Sequence, residues 1–198
     1  MFNIGIDFGS TYTTVSAYRN ETEKLETVVL GLGTPYIPTI AGGKAGSFEG
    51  FRYGAAAKGV MGRKGYVVYK AFKMLLTEKK TELLRERGYT EKITPAVVAE
   101  KFLTDLIQRV LVHYGEKEID RVVIGAPEIW FKGVDSLSGR SILRNIFEKM
   151  DSVKAVQVVS EPASASAFFA YNYQTLRNEA YDGHILLIDY GGGTLDIT

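Results

Sequence analysis

The amino-acid sequence predicts an α/β domain in which helices are layered on a sheet. Three short segments near the N-terminus are typical of a strand meander, and the rest of the chain alternates helical and strand periodicity. The 198 residues are 45% hydrophobic and 24% charged, which is typical of a globular protein with a substantial core. These observations favour one large domain or two small ones.

Charge and composition exclude several classes of function. Lys and Arg number 24 and Asp and Glu 23, a net charge of +1, so we expect no nucleic-acid partner and no anionic membrane surface. The sequence contains no cysteine, which excludes disulfides, thiolate metal sites and cysteine nucleophiles. It also contains neither a secretory signal nor an apolar run of about 20 residues. We therefore expect a soluble, cytoplasmic protein without a membrane partner.

The N-terminal half is predicted to contain many of the strands. Alternating and β-branched residues predict a meander of three, at Asn3–Asp7, Thr13–Arg19 and Leu25–Leu30. Gly and Pro punctuate the next segment, where we predict strands at Tyr36–Ile40 and Phe48–Tyr53 and a helical turn at Ala55–Lys58. The segment Tyr69–Arg87 has helical character and becomes charged toward its end.

The C-terminal half is predicted to alternate helices with strands. Its clearest helix begins at Thr94 and Pro95, ends at Gly115, and carries an apolar residue at every fourth position: Val98, Phe102, Leu106 and Val110. Further helices are predicted at Ser136–Met150 and Ala163–Tyr173, and strands at Ile119–Gly125, Val153–Val159 and Ile185–Asp189. The helix at Ala163–Tyr173 carries alanines on one face, which predicts close packing: Ala163, Ala167 and Ala170.

One sequence pattern occurs twice, at Ile6-Asp7-Phe8-Gly9-Ser10-Thr11 and at Ile188-Asp189-Tyr190-Gly191-Gly192-Gly193-Thr194. Each copy runs from an apolar strand through Asp, an aromatic residue and Gly to a hydroxyl side chain, and a return strand of a hairpin can follow. An Asp at a strand end suits hydrated Mg²⁺, and a Gly-rich turn directs N–H groups at phosphate oxygens. Each copy alone is explained equally well as an ordinary turn. The matched pair favours two hairpins that hold a polyphosphate between them.

Six segments follow one another along the chain: GIDFGSTYTTVSAY, TPYIPTIAG, YGAAAKG, RVVIGAPEIW, VVSEPASASAFFAY and LLIDYGGGTLDIT. In this order they resemble the nucleotide-binding domain of DnaK-type heat-shock chaperones, within the actin-like ATPase superfamily. The first and last resemble the two phosphate motifs, and the second and third the segment with the phosphate-contacting lysine. The fourth resembles the strand that leads to the family's proline, and the fifth its connecting motif.

The resemblance implies an actin-like ATPase (ribonuclease H-like) lobe, in which helices flank a mixed five-stranded sheet and a smaller α+β subdomain is inserted. Residues 1–34 and 115–182 would form the core subdomain, and residues 35–114 the smaller one. Residues 183–198 would form the first hairpin of a second lobe. Because the second phosphate motif lies close to Thr198, we expect the rest of that lobe to follow it.

The resemblance also assigns residues to a nucleotide site. Asp7, Asp189 and Glu161 would hold Mg²⁺ through water, and hydrolysis would depend on Lys58, Glu161, Asp189 and Asp196. The two Gly-rich turns would contact phosphate, through Gly9, Ser10, Thr11 and Tyr12 in the first and Gly191, Gly192, Gly193 and Thr194 in the second. Without the resemblance, Lys58 would be interpreted as a solvated lysine and Tyr12 as ordinary strand sequence.

Several other residues have weaker assignments. Pro127 resembles the family's switch proline but fits a simple strand terminator equally well. Either Arg140 or Arg144 would face a partner domain. His113 and His184 are far apart in the sequence, which argues against a histidine metal site or a histidine base.

The resemblance implies an ATPase that uses ATP or ADP with Mg²⁺ and couples hydrolysis to movement between two lobes. It implies a peptide-binding domain, a co-chaperone or an exchange factor as partners. A bacterial actin-like filament ATPase and a small-molecule kinase with a catalytic Asp base remain as alternatives. Because this family holds adenosine mainly in the second lobe, we expect these 198 residues alone to bind ATP weakly and not to turn it over. We also expect self-association through the C-terminal strand.

Overall fold

The computed structural model describes residues 1–31, 33–132, 138–191 and 195–197. Its strands are β1 (Phe2–Phe8), β2 (Tyr12–Arg19), β3 (Lys24–Thr27), β4 (Ile37–Pro38), β5 (Ile40–Lys44), β6 (Arg52–Tyr53), β7 (Tyr66–Lys70), β8 (Arg121–Ala126), β9 (Val156–Ser160), β10 (Ile188–Tyr190) and β11 (Leu195–Ile197). The α-helices are α1 (Thr81–Glu86), α2 (Pro95–Tyr114), α3 (Gly139–Glu148) and α4 (Glu161–Arg177), and 3₁₀ helices cover Gly54–Val60, Phe72–Leu75 and Glu128–Phe131. Across the described ranges, no helix is both long and apolar enough to cross a bilayer.

The main sheet is mixed and has six strands. Its order is β3-β2-β1-β8-β9, and the two-residue strand β4 pairs with the start of β2. β1, β2 and β3 pair antiparallel, whereas β8 lies parallel to both β1 and β9. This architecture confirms the predicted α/β class and is compatible with an actin-like ATPase lobe. The sheet was predicted to have five strands, and the sixth is the short strand β4.

A second sheet has three strands in the order β6-β5-β7. In the sequence, these strands follow β4 and precede β8 of the main sheet. All three strands pair antiparallel and lie within residues 35–114, the range predicted to form a smaller subdomain. Residues from both sheets and from α2 and α3 contribute to one hydrophobic core. The subdomain boundaries remain a prediction.

The alternation of side chains along β1 separates the core from the pocket described below. Phe2, Ile4, Ile6 and Phe8 are buried on one face of the strand, whereas Asp7 is exposed on the other. This follows from strand geometry, because successive side chains point to opposite faces of a sheet. The apolar face therefore anchors the strand, and the opposite face carries its carboxylate.

Helix α2 has the ends and the buried face that its sequence predicts. The Thr94 hydroxyl accepts a hydrogen bond from the backbone N–H of Val97, and Pro95 is the first helical residue. Gly115 ends the helix in the left-handed conformation, with φ of 67°. The whole predicted stripe is buried: Val98, Phe102, Leu106 and Val110.

The segment Tyr69–Arg87 differs from its prediction as a helix. Tyr69 belongs to β7, which pairs with β5 along its whole length, and a 3₁₀ helix and the short α1 follow. Tyr66–Lys70 is rich in valine and tyrosine, which favour strands once a partner strand is available. The prediction was wrong at Tyr69 and Lys70, where pairing with β5 decides the conformation, and it was confirmed in part by the two short helices.

Helix α4 is longer than predicted and lacks the predicted close packing. All of its residues are described, and Pro162 alone among them is buried. Ala163 and Ala167 are exposed, and so are large apolar side chains that include Phe168 and Leu176. Helix α3 is shorter than its predicted range, whose first residue, Ser136, lies outside the described residues.

Candidate functional site

A pocket of about 500 Å³ brings together three carboxylates from distant parts of the sequence. Asp7 lies near the end of β1, Glu161 directly follows β9, and Asp189 lies in β10. Because β1, β8 and β9 run parallel, their carboxyl ends meet at one edge of the sheet, where α/β proteins commonly bind ligands. The structure therefore gathers the three residues that were predicted to hold Mg²⁺.

Lys73 provides a positive charge at the same site. Its Nζ lies 2.5 Å from Oε1 of Glu161, and the two side chains are only 4% and 16% exposed. Within the described ranges, Lys73 is the one charged residue that is buried. A buried ion pair of this kind requires both partners, because either charge left alone would lack compensation.

Local structure fixes the position of Glu161. Glu161 is the first residue of α4. The Ser160 hydroxyl caps this helix by accepting a hydrogen bond from the N–H of Ala163. Gly125 in the neighbouring strand β8 leaves space for it, because a Cβ at that position would lie 3.1 Å from Cγ of Glu161. The helix N-terminus also favours a negative charge at Glu161.

The electrostatics of the pocket raise the proton affinity of two carboxyl groups. Loss of hydration is the main cause that raises the pKa of Asp7, although part of its side chain reaches solvent. Loss of hydration also raises the pKa of Glu161, and Lys73 opposes the shift at both residues. The Asp189 carboxylate adds to both increases in pKa. Fully ionised, the cluster would carry three negative charges against one ammonium group.

The surplus of negative charge suits a hydrated divalent cation. Carboxylate oxygens are preferred ligands of Mg²⁺, which usually keeps several of its waters. In the described part of the chain, no group of three or more His, Asp or Glu side chains can hold a metal ion. The carboxylates of Asp7, Glu161 and Asp189 are oxygen donors of the kind that a hydrated ion takes.

The two copies of the repeated pattern form similar hairpins. In the first, Asp7 is the pairing partner of Thr14, and in the second, Asp189 is the partner of Asp196. The first turn needs Gly9, because a Cβ there would overlap the carbonyl oxygen of Tyr12. The structure thus confirms the two predicted hairpins.

None of the predicted phosphate-binding residues that the structure describes lines the pocket itself. Ser10, Thr11 and Tyr12 follow Gly9 in the turn and the start of β2, and the carbonyl of Thr11 accepts a hydrogen bond from Thr39. Gly191 is exposed. Gly192, Gly193 and Thr194 lie outside the described residues, and the backbone of Asp196 lies in β11.

Lys58 is not brought to the carboxylates. It is exposed, on the 3₁₀ helix Gly54–Val60, which packs against the three-stranded sheet. The segments TPYIPTIAG and YGAAAKG instead line a separate cleft of about 440 Å³, through residues that include Tyr36 and Ala55. The lysine that does contact one of these carboxylates is Lys73, which pairs with Glu161 and was not predicted from the sequence. Its signal was a lysine inside the apolar run Phe72–Leu76.

None of the remaining candidates lines the carboxylate pocket. Pro127 directly follows β8, and its carbonyl accepts a hydrogen bond from the N–H of Trp130. Arg140 and Arg144 lie on α3, and the guanidinium of Arg140 is 4.8 Å from the ring centre of Phe131. Neither His113 nor His184 lines the carboxylate pocket: His113 lies on α2 and His184 precedes β10.

Comparison with known proteins finds one informative similarity. No family model matches the chain. The chain is 22% identical over 218 residues to the protein named Movement protein Hsp70h of Lettuce infectious yellows virus (isolate United States/92). The similarity covers 98% of this chain but 36% of the viral protein, so the chain spans about a third of that relative's length. It supports an Hsp70-like relationship.

Proposed function

We propose that this chain is the ATP-binding lobe of a DnaK-like ATPase that couples ATP hydrolysis to movement between two lobes. One observation carries the proposal: Asp7, Glu161 and Asp189 line one pocket, and the buried ammonium group of Lys73 pairs with Glu161. The similarity to a viral Hsp70 homologue and the two matched hairpins support it. ATP and ADP are the proposed nucleotides.

The carboxylates would hold Mg²⁺ through water, and the ion would neutralise charge on the β- and γ-phosphates. The N–H groups of the turn from Gly9 to Thr11 would bind phosphate oxygens, as would those of the second Gly-rich turn. Glu161 would accept a hydrogen bond from the attacking water and orient it. Asp196, opposite Asp189 in the second hairpin, stays in the proposal as a further water-positioning residue.

Lys73 takes the role that the resemblance had suggested for Lys58. Its ammonium group already lies at Glu161, so the γ-phosphate of a bound nucleotide would meet a positive charge there. Such fixed charges stabilise the transition state of phosphoryl transfer because they need no reorganisation during the reaction. A lysine at this point favours an ATPase over a kinase, for which we expect a catalytic Asp base.

The test is titration of the 198-residue chain with Mg²⁺–tripolyphosphate and with Mg²⁺–ATP, followed by nuclear magnetic resonance. We expect weak, saturable binding that shifts the backbone amide signals of Gly9, Gly125 and Glu161. Lys73→Met should weaken this binding by about tenfold or more, because a charge-assisted contact with phosphate is lost. The matched control, Lys58→Met, removes an exposed lysine and should leave the affinity unchanged.

Two results would contradict the proposal. One is an absence of signal changes around the carboxylate pocket at saturating tripolyphosphate. The other is a loss of binding in Lys58→Met with none in Lys73→Met. For a longer protein that carries this lobe, we propose ATP-dependent contact with a peptide-binding domain, a co-chaperone or an exchange factor, and cytoplasmic localisation.

A further inference from the structure

Three phenylalanine rings lie in mutual contact in the hydrophobic core. Phe8 comes from β1, Phe72 from the 3₁₀ helix Phe72–Leu75, and Phe102 from α2. The ring centres are 6.0 Å apart for Phe8 and Phe72, 6.0 Å for Phe8 and Phe102, and 5.6 Å for Phe72 and Phe102. All three side chains are at most 1% exposed. We call these residues the phenylalanine trio.

Two members of the trio are sequence neighbours of charged residues in the site. Phe8 directly follows Asp7, and Phe72 directly precedes Lys73. A buried aromatic ring packed at interior density has little freedom to move, so it holds the backbone that carries it. The contact between Phe8 and Phe72 therefore holds the backbone of Asp7 and that of Lys73 in one fixed relation.

The backbone before Phe72 supports the same interpretation. Ala71 adopts the left-handed conformation, with φ of 50° and ψ of 29°, as the chain leaves β7 for the 3₁₀ helix. This conformation is unfavourable for a residue with a Cβ and persists only where the surrounding structure imposes it. Burial of the Phe72 ring provides such a constraint directly beside Ala71.

We propose that Phe72 is a positioning residue, whose ring in the phenylalanine trio holds the ammonium group of Lys73 against Glu161. Phe72 touches no ligand in this account and acts through Lys73. The consequence for nucleotide binding rests on the proposed function, whereas the placement of Lys73 stands without it. Replacement of the ring should release Lys73 from its contact with Glu161, even where the remaining core stays folded.

The first test measures the accessibility of Lys73 by acetylation with acetic anhydride and mass spectrometry. In the unaltered chain, Lys73 should react far more slowly than exposed lysines such as Lys58, because it is buried and paired. Phe72→Leu should raise the reaction rate of Lys73 by about tenfold through local opening. Phe147→Leu is the matched control, since Phe147 is equally buried but lies on α3. It should lower the melting temperature similarly and leave the rate at Lys73 unchanged.

An equal increase in both variants would show general destabilisation and overturn the proposal, and so would an unchanged rate in Phe72→Leu. If Phe72→Leu does not fold, Phe72→Met, which is also smaller than Phe but flexible, takes its place.

The second test is a double-mutant cycle on Mg²⁺–tripolyphosphate affinity. Phe72→Leu should weaken binding in the unaltered chain and cause no further loss in the Lys73→Met background. Failure of the proposed function would remove tripolyphosphate binding from the unaltered chain, while the acetylation result would remain interpretable.

Discussion

At the scale of single residues, the pair of Lys73 and Glu161 makes stability depend on pH. Loss of hydration raises the pKa of Glu161 above its ordinary value of 4.5, and Lys73 limits the rise. A carboxyl group with a raised pKa in the folded state binds protons more tightly there than in the unfolded chain. Its contribution to stability is therefore lost as pH rises from about 4.5 through the folded-state pKa.

Lys73→Met should raise the pKa of Glu161 further, because the positive charge that opposes the increase is gone. The loss of stability with rising pH should therefore continue to higher pH. We expect its free energy of unfolding to fall below that of the unaltered chain by about 3 kcal/mol at neutral pH, and by much less where Glu161 is protonated. Urea unfolding at a series of pH values measures the difference. Lys58→Met should differ by less than about 0.5 kcal/mol throughout. A deficit in Lys73→Met that does not vary with pH would refute the electrostatic explanation.

Tyr89 provides a second test at this scale. Its hydroxyl oxygen is the one buried side-chain polar atom in the described ranges without a hydrogen-bond partner. Tyr89→Phe should raise the free energy of unfolding by about 1 kcal/mol, because it removes an unpaired polar group. Tyr69→Phe should lower it by a similar amount, since the Tyr69 hydroxyl donates to the carbonyl of Gly88 at 3.0 Å. Chemical denaturation of both variants measures these changes in the free energy of unfolding. A loss of stability in Tyr89→Phe would show that the Tyr89 hydroxyl is not an unfavourable unpaired group.

At the scale of elements, local signals predicted some parts of the fold and long-range pairing decided others. Helix α2 could be predicted from its own sequence, because Thr94 caps it, Gly115 ends it and its apolar stripe is continuous. Strand β7 could not, because its partner β5 lies more than twenty residues earlier and local periodicity carries no information about it.

The same distinction explains which parts of the site were predictable. Asp7, Asp189 and Glu161 stand at or beside predicted strands, so general rules of strand order could place them together. The lysine was harder, because its position depends on where β7 ends and on the turn at Ala71. For the alanines of α4, the sequence predicted a contact that the structure lacks. Ala163 and Ala167 suit close packing, but both are exposed.

At the scale of the whole molecule, uncovered apolar surface concentrates at the C-terminal side. Leu186 is 73% exposed and Ile188 61%, and β10 pairs with β11 alone among the strands described. Helix α4 exposes Phe168 and Leu176 as well. A two-stranded sheet is barely stable in isolation, and unpaired strand edges recruit other chains.

We therefore propose that two copies of the 198-residue chain associate through β10. Size-exclusion chromatography with light scattering should show a mass that increases with protein concentration. Ile188→Lys should shift the population toward monomer, because a charge on the strand opposes edge-to-edge pairing. Val112→Lys, at a still more exposed position on α2, should leave the mass distribution unchanged. A constant monomer mass at all concentrations would contradict the proposal.

The three carboxylates of the pocket are anchored unequally. Asp7 lies on a central strand of the main sheet and Glu161 at the start of a helix next to it, whereas Asp189 lies on a hairpin that pairs with no other described strand. A ligand that contacts all three carboxylates would therefore hold this hairpin against the core. When the ligand dissociates, the hairpin would lose that attachment.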